Sequence, residues 1–140
     1  MTQKEKELLL QDLCTRLPYG VEVYYSETIP ISTLKTINSE KGTCIVYDHS
    51  QWYRHNKFLI EEVKPYLRPM SSMTEDEKKE AKENGCIIYW DTSLEDKGLL
   101  VIASPRGFDW LNKKMFDYRG LIEKGLALEA PKDMYNLKNK

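Results

Sequence analysis

With 140 residues, 41% of them hydrophobic and 31% charged, the chain is long enough to bury a core without disulfide or metal staples. A formal net charge of −1 excludes a global attraction to nucleic acid or anionic lipid. No apolar run approaches the ~20 residues of a membrane span, and the polar, mixed-sign start from Met1 to Glu7 predicts no secretory signal.

Thr2 and Glu5 have the spacing of a capping box, and Leu9, Leu10, Leu13, Cys14 and Leu17 then form an amphipathic face. Pro18 and Tyr19-Gly20 predict the end of that helix. Val21, Val23 and Tyr25 alternate as in a strand. Between Thr28 and Ile37 the apolar positions Ile29, Ile31, Leu34 and Ile37 slip from period two to period three, and Pro30 points to an edge or a bulge. Ser39 to Gly42 is a turn and Thr43 to Asp48 a strand. Another extended piece covers Lys57 to Val63. Pro65 and Pro69 then make Lys64 to Pro69 a stiff, extended connector.

Thr74 with Glu77 is the clearest capping box in the chain, and Asn84-Gly85 the clearest stop. The helix between them has Ala81 as its sole apolar residue, which predicts a solvated helix held by pairs such as Glu75 with Lys79. Cys86 to Asp91 and Gly98 to Ala103 read as a hairpin across the loop Thr92 to Lys97. Both are apolar on consecutive residues, so cover on both faces is expected.

The stretch from Gly107 to Pro131 concentrates bulky apolar side chains, among them Phe108, Trp110, Leu111, Phe116 and Leu121. Gly107 to Lys114 reads as a short helix. Asp117 caps a second turn, and Gly125 is its C′ residue before an extended exit to Pro131. The sum is one α+β domain over residues 1–140. It is a mostly antiparallel sheet of about five or six strands packed by N- and C-terminal helices, with a curled small barrel as the alternative.

The runs DWLNKKMFDYRGLIEKGLALEAP, EKELLLQDLCTRLPYGV and VKPYLRPMSSMTEDEKKE resemble a family of short uncharacterised proteins encoded in gut-bacterial genomes and their prophages and mobile elements. Typical relatives carry two histidines before the FDYRGLI run, where this chain has Lys114 and Met115, so no histidine chemistry carries over to that spot. The resemblance implies a phage- or mobile-element-linked accessory protein inside a bacterial cell. It brings no activity and no cofactor.

Chemistry-bearing residues are sparse. Asp48, His49 and His55 are a conceivable metal or acid–base set, but their spacing matches no ligand pattern and lacks the third ligand a catalytic zinc site needs. A metal-dependent hydrolase is therefore the third reading, and no cofactor or metal site is assigned. Cys14, Cys44 and Cys86 lack CxxC spacing, so reduced thiols in a cytoplasmic protein are expected, with a Cys44–Cys86 pairing left open. Trp52, Tyr53, Arg54 and His55, extended by Tyr66 and Arg68 on the connector, combine the residue types that carry interface energy. The first reading is thus a non-catalytic binding protein with a protein partner. The alternative is a nucleic-acid-binding module using the region from Trp52 to Arg68, with rings on bases and cations on phosphates. Arg106 and Arg119 are read as holding the C-terminal turns through carboxylate pairs.

Overall fold

The computed structural model describes residues 1–27, 31–48, 55–90 and 99–135. Helix α1, Gln3–Arg16, opens on the expected capping box: Thr2 Oγ1 accepts the Glu5 amide and Glu5 accepts the Thr2 amide. A 3-10 turn, Leu17–Tyr19, follows and ends at Gly20, whose φ of +74° needs a residue without Cβ. Then come strands β1 (Glu22–Tyr24), β2 (Ser32–Asn38), β3 (Thr43–Asp48), β4 (His55–Leu59) and β5 (Lys64–Leu67). Helix α2 (Glu75–Glu83), strands β6 (Cys86–Trp90) and β7 (Leu99–Ala103), helix α3 (Pro105–Lys113) and strand β8 (Leu128–Glu129) complete the order.

Six strands form one sheet in the order β4-β3-β2-β1-β5-β8. Every neighbouring pair is antiparallel except β5 with β8. The architecture is the expected α+β, but β4 and β8 remain edges, so the sheet does not close into a barrel. The hairpin β6–β7 stands apart as a second, two-stranded sheet.

The slip in hydrophobic period along β2 has a structural cause. The register with β3 jumps between Leu34 and Thr36, so Lys35 is the extra residue of a bulge. Leu34 and Ile37 can then both turn toward the core although three positions separate them. The stretch read as a connector is instead strand β5. Pro65 is tolerated because β8 pairs only with Tyr66 and Leu67, leaving the strand with a free side at the proline.

Two cores result. Leu9 and Leu13 of α1 pack on Val21, Val23, Leu34, Cys44 and Val46 of the main sheet. Met70, Met73, Ala81, Cys86, Trp110, Leu111 and Phe116 form the second, joining α2, α3 and the hairpin. The helices thus cover the layers as expected, but the second core corrects two expectations. Helix α2 is not a solvated connector, since Ala81 is buried and Glu80 accepts the Trp110 indole N–H at 2.8 Å. Among the described side chains the hairpin has cover on one face only: Cys86 is buried, whereas Ile87 and Ile102 are 50% and 52% exposed. Lys78, not Lys79, pairs with Glu75, at 3.1 Å.

Helix α3 begins two residues earlier than the sequence suggests, at Pro105. Ser104 caps it by accepting the Gly107 amide, and Pro105 occupies the first turn, where its missing N–H costs nothing. The helix ends in a Schellman arrangement with Met115 at the left-handed position, φ +62°, where glycine is usual. Asp117 caps the following turn as expected, its two carboxylate oxygens accepting the amides of Leu121 and Ile122 at 2.8 and 2.9 Å. Gly125, φ +74°, closes it.

Gly107 sits where α3 presses on the hairpin. A Cβ there would lie 2.9 Å from Cys86 Sγ and 3.0 Å from both Ala103 Cβ and the Gly85 carbonyl oxygen. Neither Ala103 Cβ nor the carbonyl can swing aside. Gly107→Ala should therefore lower stability by about 1–3 kcal/mol despite alanine's better helix propensity. A urea titration followed by tryptophan fluorescence checks this.

Candidate binding surfaces

The residues singled out from the sequence separate into two groups. Trp52, Tyr53 and Arg54 lie outside the described residues, as do His49 and the loop Thr92 to Lys97. His55 opens β4 with its backbone paired to Tyr47. Among the described residues no group of three His, Cys, Asp or Glu side chains could hold a metal ion.

Tyr66 and Arg68 are not displayed on a connector. Tyr66 is a buried residue of β5, 8% exposed. Arg68 is held on four sides. Its guanidinium makes a bidentate pair with Glu77 at 2.7 and 2.8 Å and lies 4.2 Å from the centroid of the Phe116 ring. Its amide donates to the Met115 carbonyl at 2.7 Å, and its carbonyl accepts the Asp117 amide at 2.8 Å. Planar, forked and weakly hydrated, guanidinium suits such a part-buried pairing better than ammonium does. Arg68 therefore fastens β5 to α2 and to the C-terminal stretch.

Glu77 completes this staple. Burial pushes its carboxyl up, but the Arg68 hydrogen bonds and charge, together with the Thr74 amide and hydroxyl, outweigh that and hold it below the usual range. Beside it runs an open groove of about 890 Å³, lined by Arg68, Thr74, Glu80, Lys114, Glu129 and Tyr135 among others. Its cations are largely committed, Arg68 to Glu77 at 2.7 Å and Lys114 to Glu80 at 3.6 Å.

A second buried cluster escaped the sequence reading. Asp12 and Arg16 are both fully buried on α1, paired at 3.0 Å. Arg16 Nη2 donates to the Phe116 carbonyl at 2.7 Å, and Arg119 Nη1 donates to the other Asp12 oxygen at 2.8 Å. Tyr118 presents its ring to both guanidiniums, with Cζ 5.4 Å (Arg16) and 4.5 Å (Arg119) from its centroid. The signal was present: Leu9, Asp12, Leu13 and Arg16 recur at i, i+3, i+4, i+7, the helical stripe itself, with opposite charges in two of its places. Cys14, assigned to the apolar face, is exposed instead. Arg119 makes the expected carboxylate pair, while Arg106 donates to the Glu83 carbonyl at 2.7 Å.

The two buried thiols are both raised above the ordinary cysteine value. Burial, then the nearby Glu62 charge, pushes Cys44 up to about 11. Burial also raises Cys86, whose Sγ–H donates to the Gly107 carbonyl at 3.2 Å.

Among the described residues, two faces carry exposed or part-exposed side chains. One is the outer side of the hairpin, where Ile87 and Ile102 stand directly opposite each other. The other is the side of the main sheet away from α1, which carries Tyr24, Ile45 and Tyr47 with Lys35 and Lys57. No family model matches this chain, and no curated protein or solved structure gives a match.

Asp12→Ala leaves Arg16 buried without its counter-charge and should cost about 3–5 kcal/mol in a denaturant titration. Arg119→Ala should cost less, because it leaves the Asp12–Arg16 pair in place. The lowered Glu77 carboxyl gives a pH signature. Its contribution is full above the unfolded carboxyl pKa of about 4.3 and is lost as pH falls through the folded value. The stability gap between wild type and Glu77→Gln should thus be widest near neutral pH and close in acid, as urea midpoints across pH would show.

Proposed function

We propose that this chain is a non-catalytic binding module that docks a protein partner through the outer face of the β6–β7 hairpin. The observation that carries the reading is the cross-strand pair Ile87–Ile102, each half exposed on a two-stranded sheet whose opposite face already packs on α2 and α3. Single exposed apolar residues are ordinary, but two β-branched chains set opposite each other form one contiguous apolar patch. Among the described residues neither strand of this hairpin has a further strand beside it. An extended partner segment could add to an edge through backbone bonds while the isoleucines supply apolar contact.

Of the surface read from the sequence, Trp52, Tyr53 and Arg54 lie outside the described residues. Tyr66 and Arg68 are committed to the fold, which moves the proposal from the connector to the hairpin. Cys14, Cys44 and Cys86 are all free, which supports action in a reducing compartment such as the cytoplasm. The resemblance to short prophage and mobile-element proteins supports a bacterial setting.

Ile87→Lys with Ile102→Lys should leave the thermal midpoint within a few degrees, because both side chains already face water. The doubly substituted chain should lose capture of a partner that the wild type retains from bacterial lysate. In the captured complex, hydrogen exchange should slow at the amides of Cys86–Trp90 and Leu99–Ala103. Capture that survives the double substitution, or protection appearing elsewhere, would reject this surface.

A further inference from the structure

The side of the main sheet turned away from α1 alternates aromatic rings with lysines. Register sets Tyr24 beside Lys64, Tyr47 beside Thr33, and Ile45 between Thr36 and Lys57. The intervening positions Val23, Leu34 and Val46 point the other way and are buried beneath α1. At the β2 bulge Lys35 joins the open side, with Nζ 5.5 Å from the centroid of the Tyr47 ring. Lys35 and Lys57 are exposed, and Tyr24, Tyr47, Ile45 and Lys64 are part-exposed. Glu22, an acid on this side, accepts the Thr33 hydroxyl, its two oxygens 3.0 and 3.1 Å away. Lys35, Lys57 and Lys64 outnumber Glu22, so the described part of this face is net positive although the chain as a whole is near neutral.

We propose that this face binds a single-stranded nucleic acid, with Tyr24 and Tyr47 stacking on bases and Lys35, Lys57 and Lys64 meeting phosphates. The two tyrosines sit two strands apart, about 10 Å across the sheet, so they engage separate bases and not one. A single strand is favoured over a duplex by shape. The described helices pack beneath the sheet or on the hairpin, leaving a shallow surface with no element to enter a groove. Splayed bases can lie on rings that stand up from such a sheet, whereas paired bases cannot.

The test uses the full chain and a fluorescein-labelled oligothymidylate of about 12 nucleotides, read by anisotropy, a length within the usual site size of a sheet-borne surface. Contact with the phosphates through three lysines predicts a Kd that rises about fourfold for each doubling of salt. Tyr24→Thr and Tyr47→Thr should each weaken binding about tenfold, threonine being chosen to keep a strand-forming residue. Lys35→Glu with Lys57→Glu alters exposed side chains alone and should flatten the salt dependence even if the tyrosine variants prove unstable. Ile87→Lys with Ile102→Lys should leave oligonucleotide binding unchanged, which separates failure here from failure of the hairpin reading. Absence of salt-dependent binding, or binding indifferent to the tyrosine and lysine changes, would overturn the proposal. So would a protein partner, in place of the oligonucleotide, shielding Tyr24 and Tyr47.

Discussion

Asp12 holds the two ends of the chain together. Its two oxygens serve guanidiniums from opposite ends of the sequence, Arg16 on its own helix and Arg119 beyond the last helix. Taking such charges out of water costs several kcal/mol per ion, so the arrangement survives only if nearly every donor is met. Most are: Arg16 reaches Phe116 O, Arg119 also lies 3.3 Å from Thr15 Oγ1, and the Tyr118 ring faces both cations. Arg16 Nη1 is buried without a hydrogen-bond partner among the described residues, so the cluster carries a residual cost. That cost accompanies a specificity no apolar contact would give. An aliphatic stripe on α1 could slide against the C-terminal stretch, whereas two guanidiniums on one carboxylate fix both rotation and height.

Arg68 repeats the device on a second front. Backbone bonds tie it to Met115 and Asp117, and its side chain reaches Glu77 across to α2. Phe116 lies between the two devices, its carbonyl accepting from Arg16 and its ring carrying Arg68. The sheet-and-α1 layer and the hairpin layer are thus joined through one residue flanked by two cations. The left-handed Met115 just before Phe116 fits this picture, since bulky residues take positive φ only where surroundings hold them there.

What could be read from the sequence was whatever depends on neighbours in the chain. The Thr2 and Thr74 boxes, the Gly125 stop and the Asp117 cap are local chemistry, and each stands where its residues placed it. The bulge at Lys35 was legible as a slip in period, though not as a bulge at that position. What could not be read depends on long-range partners. Asp12 and Arg16 stand in the core stripe of α1, but what makes their burial tolerable is Arg119 and Phe116, about a hundred residues away. Glu77 and Glu80 look like a solvated helix face until Arg68 and Trp110 meet them. The hairpin fails in the opposite sense: continuous apolarity suggested two covered faces, and one stayed open at Ile87 and Ile102.

That contrast bears on where function can sit. Tyr and Arg are favoured both at interfaces and in buried polar joints, so composition alone cannot separate the uses. Tyr66 and Arg68 are drawn into the joint because α2, which follows them directly, and β8, late in the chain, both arrive beside them. The side chains left exposed or part-exposed lie on β1 to β4 on one side and on the hairpin on the other. These two surfaces share no contact residue and belong to different cores, so substitutions on them should act additively. Changes at Asp12 and Arg119 should not, because one carboxylate serves both cations.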